Sequence, residues 1–298
     1  MHALQLIALY DYVCRCYTTT LRWQVQRFSP NSNADGITDE ELITIYLYCT
    51  AFEEKTKVKS MHTHIGKYWL TWFPKLPAYQ TFLARMNRLE SIFPTLIDHL
   101  LAHTGITDTD LVASQIGDSM PIITCSHKRS GKVAPELTNK GYCATKKLHY
   151  YGAKLHILAQ RRPGSLPLPT ALGLTQASVH DLKAMRSMLE RCQGQQLYLD
   201  KAYADKALTE ALERKGNRFF TPVKVKANTP LVLRQRDAAA DALFSTAVAR
   251  KRQPIESLFN WLHQKTGLQN ASFVRSEAGL LLHVFGKIAA ALIIWMNF

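Results

Sequence analysis

From residue 106 onward the apolar runs follow an order that very few architectures can accommodate. Residues 111–116 form a short apolar run. Residues 150–158 and 168–174 are strand-like, and the Arg161-Arg162-Pro163-Gly164 turn between them predicts an antiparallel pair. A helix is expected over about 181–191 and a strand over 195–200. A further helix over 204–215 is closed by Gly216, and a strand follows over 218–223. Residues 254–265 read as a helix with Pro254 in its first turn, stopped by Gly267, and a last long helix starts near Ser276. Residues 127–147 are a polar, basic excursion broken by Gly131, Pro135 and Gly141. Residues 224–249 carry no decisive pattern. Early strands joined by turns and later strands joined by helices predict an α/β fold, a mixed five-stranded sheet flanked by helices.

The first hundred residues read as helical. Thr38 or Asp39 is placed to cap a helix running through Cys49, and its early acids suit the positive end of the helix dipole. A second helix is expected from Pro77 or Ala78 through Arg88, and a third after Pro94. The stretch Lys67-Tyr68-Trp69-Leu70-Thr71-Trp72-Phe73-Pro74-Lys75 is read as core, with contact to DNA as the alternative. Two regions follow: an all-helical one over 1–105 and an α/β one over 106–298.

Composition narrows the partner. The chain has 298 residues, 37 Lys and Arg against 23 Asp and Glu, and a formal net charge of +14. A hydrophobic fraction of 47% supports a packed core. The excess of positive charge favours a polyanion, nucleic acid before an anionic membrane. It is concentrated: residues 127–163 hold nine Lys or Arg against Glu136 alone, and Arg250-Lys251-Arg252 adds three. Six scattered cysteines form no CxxC pair, so neither a disulfide framework nor a zinc ribbon is expected. The first ten residues lack a basic leader and a cleavage site, so no secretory signal is expected. Residues 279–298 approach the length and apolarity of a membrane span, but His283 and Lys287 interrupt them. A buried final helix, not a membrane segment, is the reading.

Three acids stand out within this basic chain. Asp118 lies in Ile116-Gly117-Asp118-Ser119-Met120-Pro121, at the expected end of the first strand. Asp200 ends Leu197-Tyr198-Leu199-Asp200, and Glu256 lies in Arg252-Gln253-Pro254-Ile255-Glu256, one turn into a helix. If the two strands are neighbours, the aspartates emerge at one sheet edge and a helix beside it brings in the glutamate. Converging carboxylates are hard oxygen donors suited to Mg²⁺, with Mn²⁺ as a substitute. Three of them can hold two ions about 3.5–4 Å apart for phosphoryl transfer. No Walker loop and no G-x-S-x-G competes as a catalytic motif. Arg252 stands four residues before Glu256, spaced either as a phosphate clamp or as a surface ion pair. His180-Asp181 is placed to cap the helix that follows it.

These stretches resemble a DDE-class transposase of a bacterial insertion sequence, in the RNase H-like and retroviral integrase superfamily. The resemblance rests on Asp118-Ser119-Met120-Pro121, Gly152-Ala153-Lys154-Leu155-His156, residues 174–181, Asp200-Lys201-Ala202-Tyr203 and residues 252–259. The N-terminal stretch 77–89 and the tail stretch 275–280 extend it over nearly the whole chain. It implies that Asp118, Asp200 and Glu256 are the catalytic acids and metal ligands of a magnesium-dependent DNA transposase. Such an enzyme cleaves element ends and joins the 3′-hydroxyl to target DNA. Its partners would be the terminal inverted repeats, bound by the N-terminal helical region, and target duplex, with a homo-oligomer formed on DNA. The expected DNA contacts are Arg252, Lys128, Arg129, Lys146, Lys147, Lys154, Arg250, Lys251 and Lys265. The site of action would be the bacterial cytoplasm, at the nucleoid. Two positions depart from related groups: Ala249 stands where a tyrosine is usual, and His263 where a lysine is usual, with Lys265 nearby. The alternatives are an RNase H-like nuclease that hydrolyses without joining, and an inactive DNA-binding derivative.

Overall fold

The structure is a computed structural model and describes residues 2–25, 36–104, 114–126, 132–143, 147–224 and 231–296. The chain divides into two compact units. One comprises residues 1–106, 132–135 and 262–298; the other comprises 107–131 and 136–261.

The first unit is helical: α1 (His2–Thr19), α2 (Asp39–Ala51), α3 (Val58–Tyr68), α4 (Tyr79–Arg88) and α5 (Ile92–His103), joined by the tail helices α10 (Glu277–Leu281) and α11 (Lys287–Trp295). A full capping box starts α2. The Thr38 hydroxyl accepts from the Glu41 amide at 3.2 Å, and the Thr38 amide donates to the Glu41 carboxylate at 2.6 Å. Beyond its first turn α2 is buried on every side from Leu42 to Thr50, as a central core helix must be. Helix α11 packs on α2 and α5. Between α10 and α11 the chain makes a π-helical turn, Leu282–Gly286, where the Tyr46 hydroxyl donates to the Leu282 carbonyl at 3.2 Å. Gly286 fits there because a Cβ would stand 2.6 Å from the Tyr46 ring. The tail Glu277–Trp295 is long and apolar enough to cross a membrane, yet 67% of it is buried inside the protein.

The core reading of the 67–75 stretch fails for most of its large side chains. Phe73 is buried, but Tyr68, Leu70 and Trp72 are 60%, 49% and 47% exposed. Helix α3 ends at Tyr68 and the following turns hold these side chains outward, so burial there is decided by chain path and not by hydrophobicity.

Lys287 is the least expected core residue. It is fully buried, its Nζ donates to the Gly267 carbonyl at 3.2 Å, and it lies 5.5 Å from the centre of the Phe273 ring. Burial pulls its pKa down to about 7. The unfolded chain therefore binds a proton that the folded one lacks between about 7 and the ordinary lysine value of 10.5. Stability should rise with pH through that window, by up to about 1.4 kcal/mol per pH unit. Urea unfolding of Lys287→Met at several pH values should show this rise gone. An unchanged slope would refute the assignment.

The second unit is built on a mixed sheet of β1 (Ser114–Ser126), β2 (Asn139–Cys143), β3 (Leu148–Gln160), β4 (Leu168–Gln176), β5 (Gln196–Tyr198) and β6 (Arg218–Phe220). The lateral order is β2-β3-β1-β5-β6, with β4 also on β3. β2 pairs with residues 148–152 of β3 and β4 with residues 153–160, while β1 covers the opposite edge of β3. β2 and β4 thus lie end to end, and the sheet is five strands wide. The antiparallel β3–β4 pair and the parallel β5 and β6 follow the order read from the sequence. β2 was not expected. Its residues lie within the basic excursion and have no alternation that separates them from a loop.

β1 is longer than the apolar run suggested. It continues past Asp118 to Ser126, so Asp118 is mid-strand, opposite Ile157. Among the described residues β1 pairs with β5 only over Ser114–Ile116 and thereafter only with β3. A strand with one partner tolerates Pro121, which a central strand would not. Helices α6 (Asp181–Leu189) and α7 (Lys206–Glu213) pack with Leu158, Leu197, Leu199 and Tyr203 into one core layer. Helix α8 (Leu231–Arg252) packs against β1 and β5, and α9 (Pro254–Thr266) follows it after one residue. Among the described side chains of α8, few of the apolar ones reach a core. Val232, Leu243 and Phe244 are exposed and Val248 is buried, which is why this segment resisted reading.

Candidate active site

Strand register brings the two aspartates together. In the parallel β1–β5 pair, Ser114 matches Gln196, Gln115 matches Leu197 and Ile116 matches Tyr198. Two residues beyond the last matched pair come Asp118 on β1 and, past the end of β5, Asp200, near enough for its charge to act on Asp118. The face is fixed by their neighbours. Leu197 and Leu199 point into the α6–α7 core, and a Cβ on Gly117 would stand 3.4 Å from Met185 of α6. Ile116, Asp118, Tyr198 and Asp200 therefore point to the other face. Tyr198 stacks on Phe220 there, with ring centres 4.9 Å apart, and Phe244 of α8 leans on Phe220.

The end of α8 delivers a cation to this face. Arg252 Nη1 donates to Asp118 Oδ2 at 2.6 Å, and its Nη2 donates to Glu256 Oε1 at 2.9 Å. The α8–α9 join remains helix-like, with the Gln253 amide on the Ala249 carbonyl and the Glu256 amide on the Gln253 carbonyl. That keeps Arg252 and Glu256 on one side, as their spacing predicted. The Asp118 side chain is 26% exposed, Glu256 60% and Arg252 16%.

Each aspartate also grips the backbone that follows it. Asp118 Oδ1 accepts from the Ser119 amide at 2.8 Å, and Asp200 Oδ1 from the Lys201 amide at 2.7 Å. Asp200 thereby caps the short 3-10 turn Lys201–Tyr203. It opens onto a cleft of about 360 Å³ lined also by Lys201, Ala202, Val223 and Lys224, which sets two lysines beside the carboxylate.

Burial raises the Asp118 pKa to about 6, and the charges of Asp200 and Asp181 push the same way. The Ser119 amide and the Arg252 guanidinium pull it down, though by less than burial raises it. Asp118 is thus a poorly solvated carboxylate, and hard carboxylate oxygens are the donors a divalent ion selects. Among the described residues no three His, Cys, Asp or Glu side chains are grouped tightly enough to hold a metal. Arg252 bridges two of the three candidate acids. Asp118, Asp200 and Glu256 offer the oxygen donors a divalent cation takes, while the Arg252 guanidinium holds the place between Asp118 and Glu256.

The expected cap of α6 is His180-Asp181. His180 does cap α6, its Nδ1 accepting from the Leu182 amide at 3.3 Å. Asp181 does something else. Its Oδ1 accepts from the Ser119 hydroxyl at 3.0 Å and from Lys154 Nζ at 3.0 Å. Ser119 and Asp118 are successive strand residues, so one carboxylate network lies on each face of β1. No periodicity marks that link, since it joins a strand to a helix 62 residues away.

The expected DNA contacts are scattered. Lys128, Arg129 and Lys146 lie outside the described residues. Lys147 is exposed and adopts a left-handed φ of 48° before β3. Arg250 and Lys251 are exposed on the last turn of α8. Lys154 is turned inward, held by Asp181 and by the Val179 carbonyl at 3.1 Å. Lys265 is exposed and falls in the first unit.

Comparison with protein families finds one described as Transposase DDE domain, whose profile matches residues 115–293. No curated protein and no solved structure matches the chain.

Proposed function

The chain belongs to the transposase DDE domain family, and from that premise we propose that it cleaves the ends of its mobile element and joins the freed 3′-hydroxyl to target DNA. The observation that supports this reading is Asp118 lying close enough to Asp200 to feel its charge, with Glu256 tied to Asp118 through Arg252. Enzymes of this family typically use a divalent metal ion. In this chain Asp118, Asp200 and Glu256 would hold it, Mg²⁺ first and Mn²⁺ as a substitute. When bound it would activate the attacking oxygen and stabilise the leaving one.

The remaining work falls to the chain itself. Asp118 is fixed by the Ser119 amide and Asp200 by the Lys201 amide, so neither carboxylate needs reordering when substrate arrives. Arg252, beside Asp118, and Lys201 and Lys224, in the cleft beside Asp200, would take the scissile phosphate, and Arg250 and Lys251 the flanking backbone. Two in-line displacements follow. Water first attacks the end phosphodiester, leaving a 3′-hydroxyl. That hydroxyl then attacks a target phosphodiester, releasing a target 3′-hydroxyl. The exposed Tyr68, Leu70 and Trp72, with Lys67 and Lys75 beside them, favour the helical region 1–105 as the binder of the terminal repeats. We place the protein in the bacterial cytoplasm at the nucleoid, acting as a homo-oligomer on an insertion-sequence element.

The test supplies pre-cut element ends, a supercoiled target and Mg²⁺ to the full chain. Joined products are expected. Nicked target with no joined ends would favour the hydrolytic nuclease reading instead.

A further inference from the structure

Beside the Asp181 network, at the sheet edge where β2 and β4 meet along β3, lies a cleft of about 410 Å³ that no step above uses. It forms where β4 leaves β3. Ala177 donates to the Gly152 carbonyl at 3.3 Å, and the chain then turns, the Val179 amide on the Gln176 carbonyl at 3.1 Å. β2 takes over the β3 edge at that point. Gly141 is required there, since a Cβ would stand 2.6 Å from Ala177 Cβ and 2.9 Å from its carbonyl oxygen. The gap between the end of β4 and the β2–β3 ribbon is the cleft.

Its walls have the chemistry of a nucleotide site. Tyr142 and His149 are directly opposite across the β2–β3 pair, with ring centres 4.8 Å apart, and Tyr142 is 52% exposed. That leaves an aromatic face open on an edge strand. Lys140 is exposed on one side and His180 on the other. Lys154 and Asp181 line the inner wall, where the ammonium neutralises the carboxylate. The volume suits one nucleotide-sized group and is too small for a duplex. Asp181 accepts from Ser119, the residue after Asp118, so an occupant would lie next to the strand that carries the candidate catalytic acid.

We propose that this cleft binds a single unpaired nucleotide of the DNA substrate, its base stacked on Tyr142 and its phosphate held by Lys140. A stacked base contributes about 1–3 kcal/mol irrespective of its identity, and a lysine adds a salt-dependent phosphate contact. The proposal rests on the DNA-transposase reading. It adds that one strand is unpaired near the reacting phosphate.

The experiment uses the full chain without divalent metal, so that nothing is cut. Duplex DNA carrying one unpaired 2-aminopurine is compared with the fully paired duplex by binding and by fluorescence quenching. Wild type should prefer the unpaired probe by about tenfold or more and quench it. Tyr142→Ala should lose that preference and the quenching while binding the paired duplex as before. Tyr142→Phe should retain both, and Lys140→Ala should lower the salt dependence for the unpaired probe. Equal binding of the two probes by wild type would overturn the proposal. So would an undiminished preference in Tyr142→Ala, or saturable capture of free dAMP with no preference among the DNAs. Asp118→Asn, expected to lose joining, should keep the quenching. A wild type that quenches but never joins ends would therefore sink the transposition reading and leave the cleft assignment standing.

Discussion

Asp118→Asn will lower joining of pre-cut ends by on the order of 10³-fold or more, while affinity for the same DNA stays within about threefold. The size follows from the task. A carboxylate that holds a catalytic cation supports several kcal/mol of transition-state stabilisation, and about 4 kcal/mol corresponds to 10³ in rate. Binding is spared because DNA affinity comes from phosphate contacts with the basic residues. Asn keeps the shape of the side chain and can still accept from the Ser119 amide, so the loss reads the charge and not the fold. Asp200→Asn and Glu256→Gln should behave alike, and any double variant should be no worse than the worst single one. Full joining by any of the three would remove that residue from the site.

Divalent-ion affinity will be constant at neutral pH and fall about tenfold per pH unit below about 6, where Asp118 takes up a proton. The sign follows from burial. Asp118 holds its proton more tightly in the folded protein than its ordinary value of 3.8 allows. Its protonated form therefore adds stability that is complete below about 3.8 and is lost as pH rises through about 6. Near neutral pH the folded protein carries an ionised, poorly solvated carboxylate, and the Arg252 guanidinium lowers its pKa. Arg252→Met should move the breakpoint upward by about one pH unit. Isothermal titration with Mn²⁺ at a series of pH values measures both. If the breakpoint of the variant coincides with wild type, the Asp118–Arg252 pair does not govern the charge at this position. Arg252→Met should also weaken DNA cleavage, because the guanidinium that bridges the two acids is one of the groups placed to meet the phosphate.

Much of the second unit was legible because local rules act there one at a time. The Arg161–Gly164 turn joins an antiparallel pair, Gly216 and Gly267 adopt φ of 75° and 66° where helices were expected to stop, and Pro254 opens α9. Asp118 and Asp200 were readable as a pair because both follow apolar strand runs. Glu256 and Arg252 were readable because spacing of four on a helix fixes their side. What failed had no local signature. β2 hides in a basic tract, α8 has no stripe, and the outward path of Tyr68, Leu70 and Trp72 contradicts their hydrophobicity. Lys154, an expected DNA contact, pairs with Asp181 on the inner side of the strand.

By itself the sequence determined most of the element order of the second unit, the excess of positive charge and the three acids. These depend on periodicity, capping and turn chemistry over a few residues. Only the tertiary structure decided which partner each charge meets. It drew residues 262–298 into the N-terminal helical unit, and put Arg252 on Asp118 across 134 residues of chain. It set Asp181 against Ser119 on the opposite face of β1. Such contacts follow from strand register and helix packing, which sum over the whole fold. Their energies lie between residues far apart in sequence, so no window along the chain contains them.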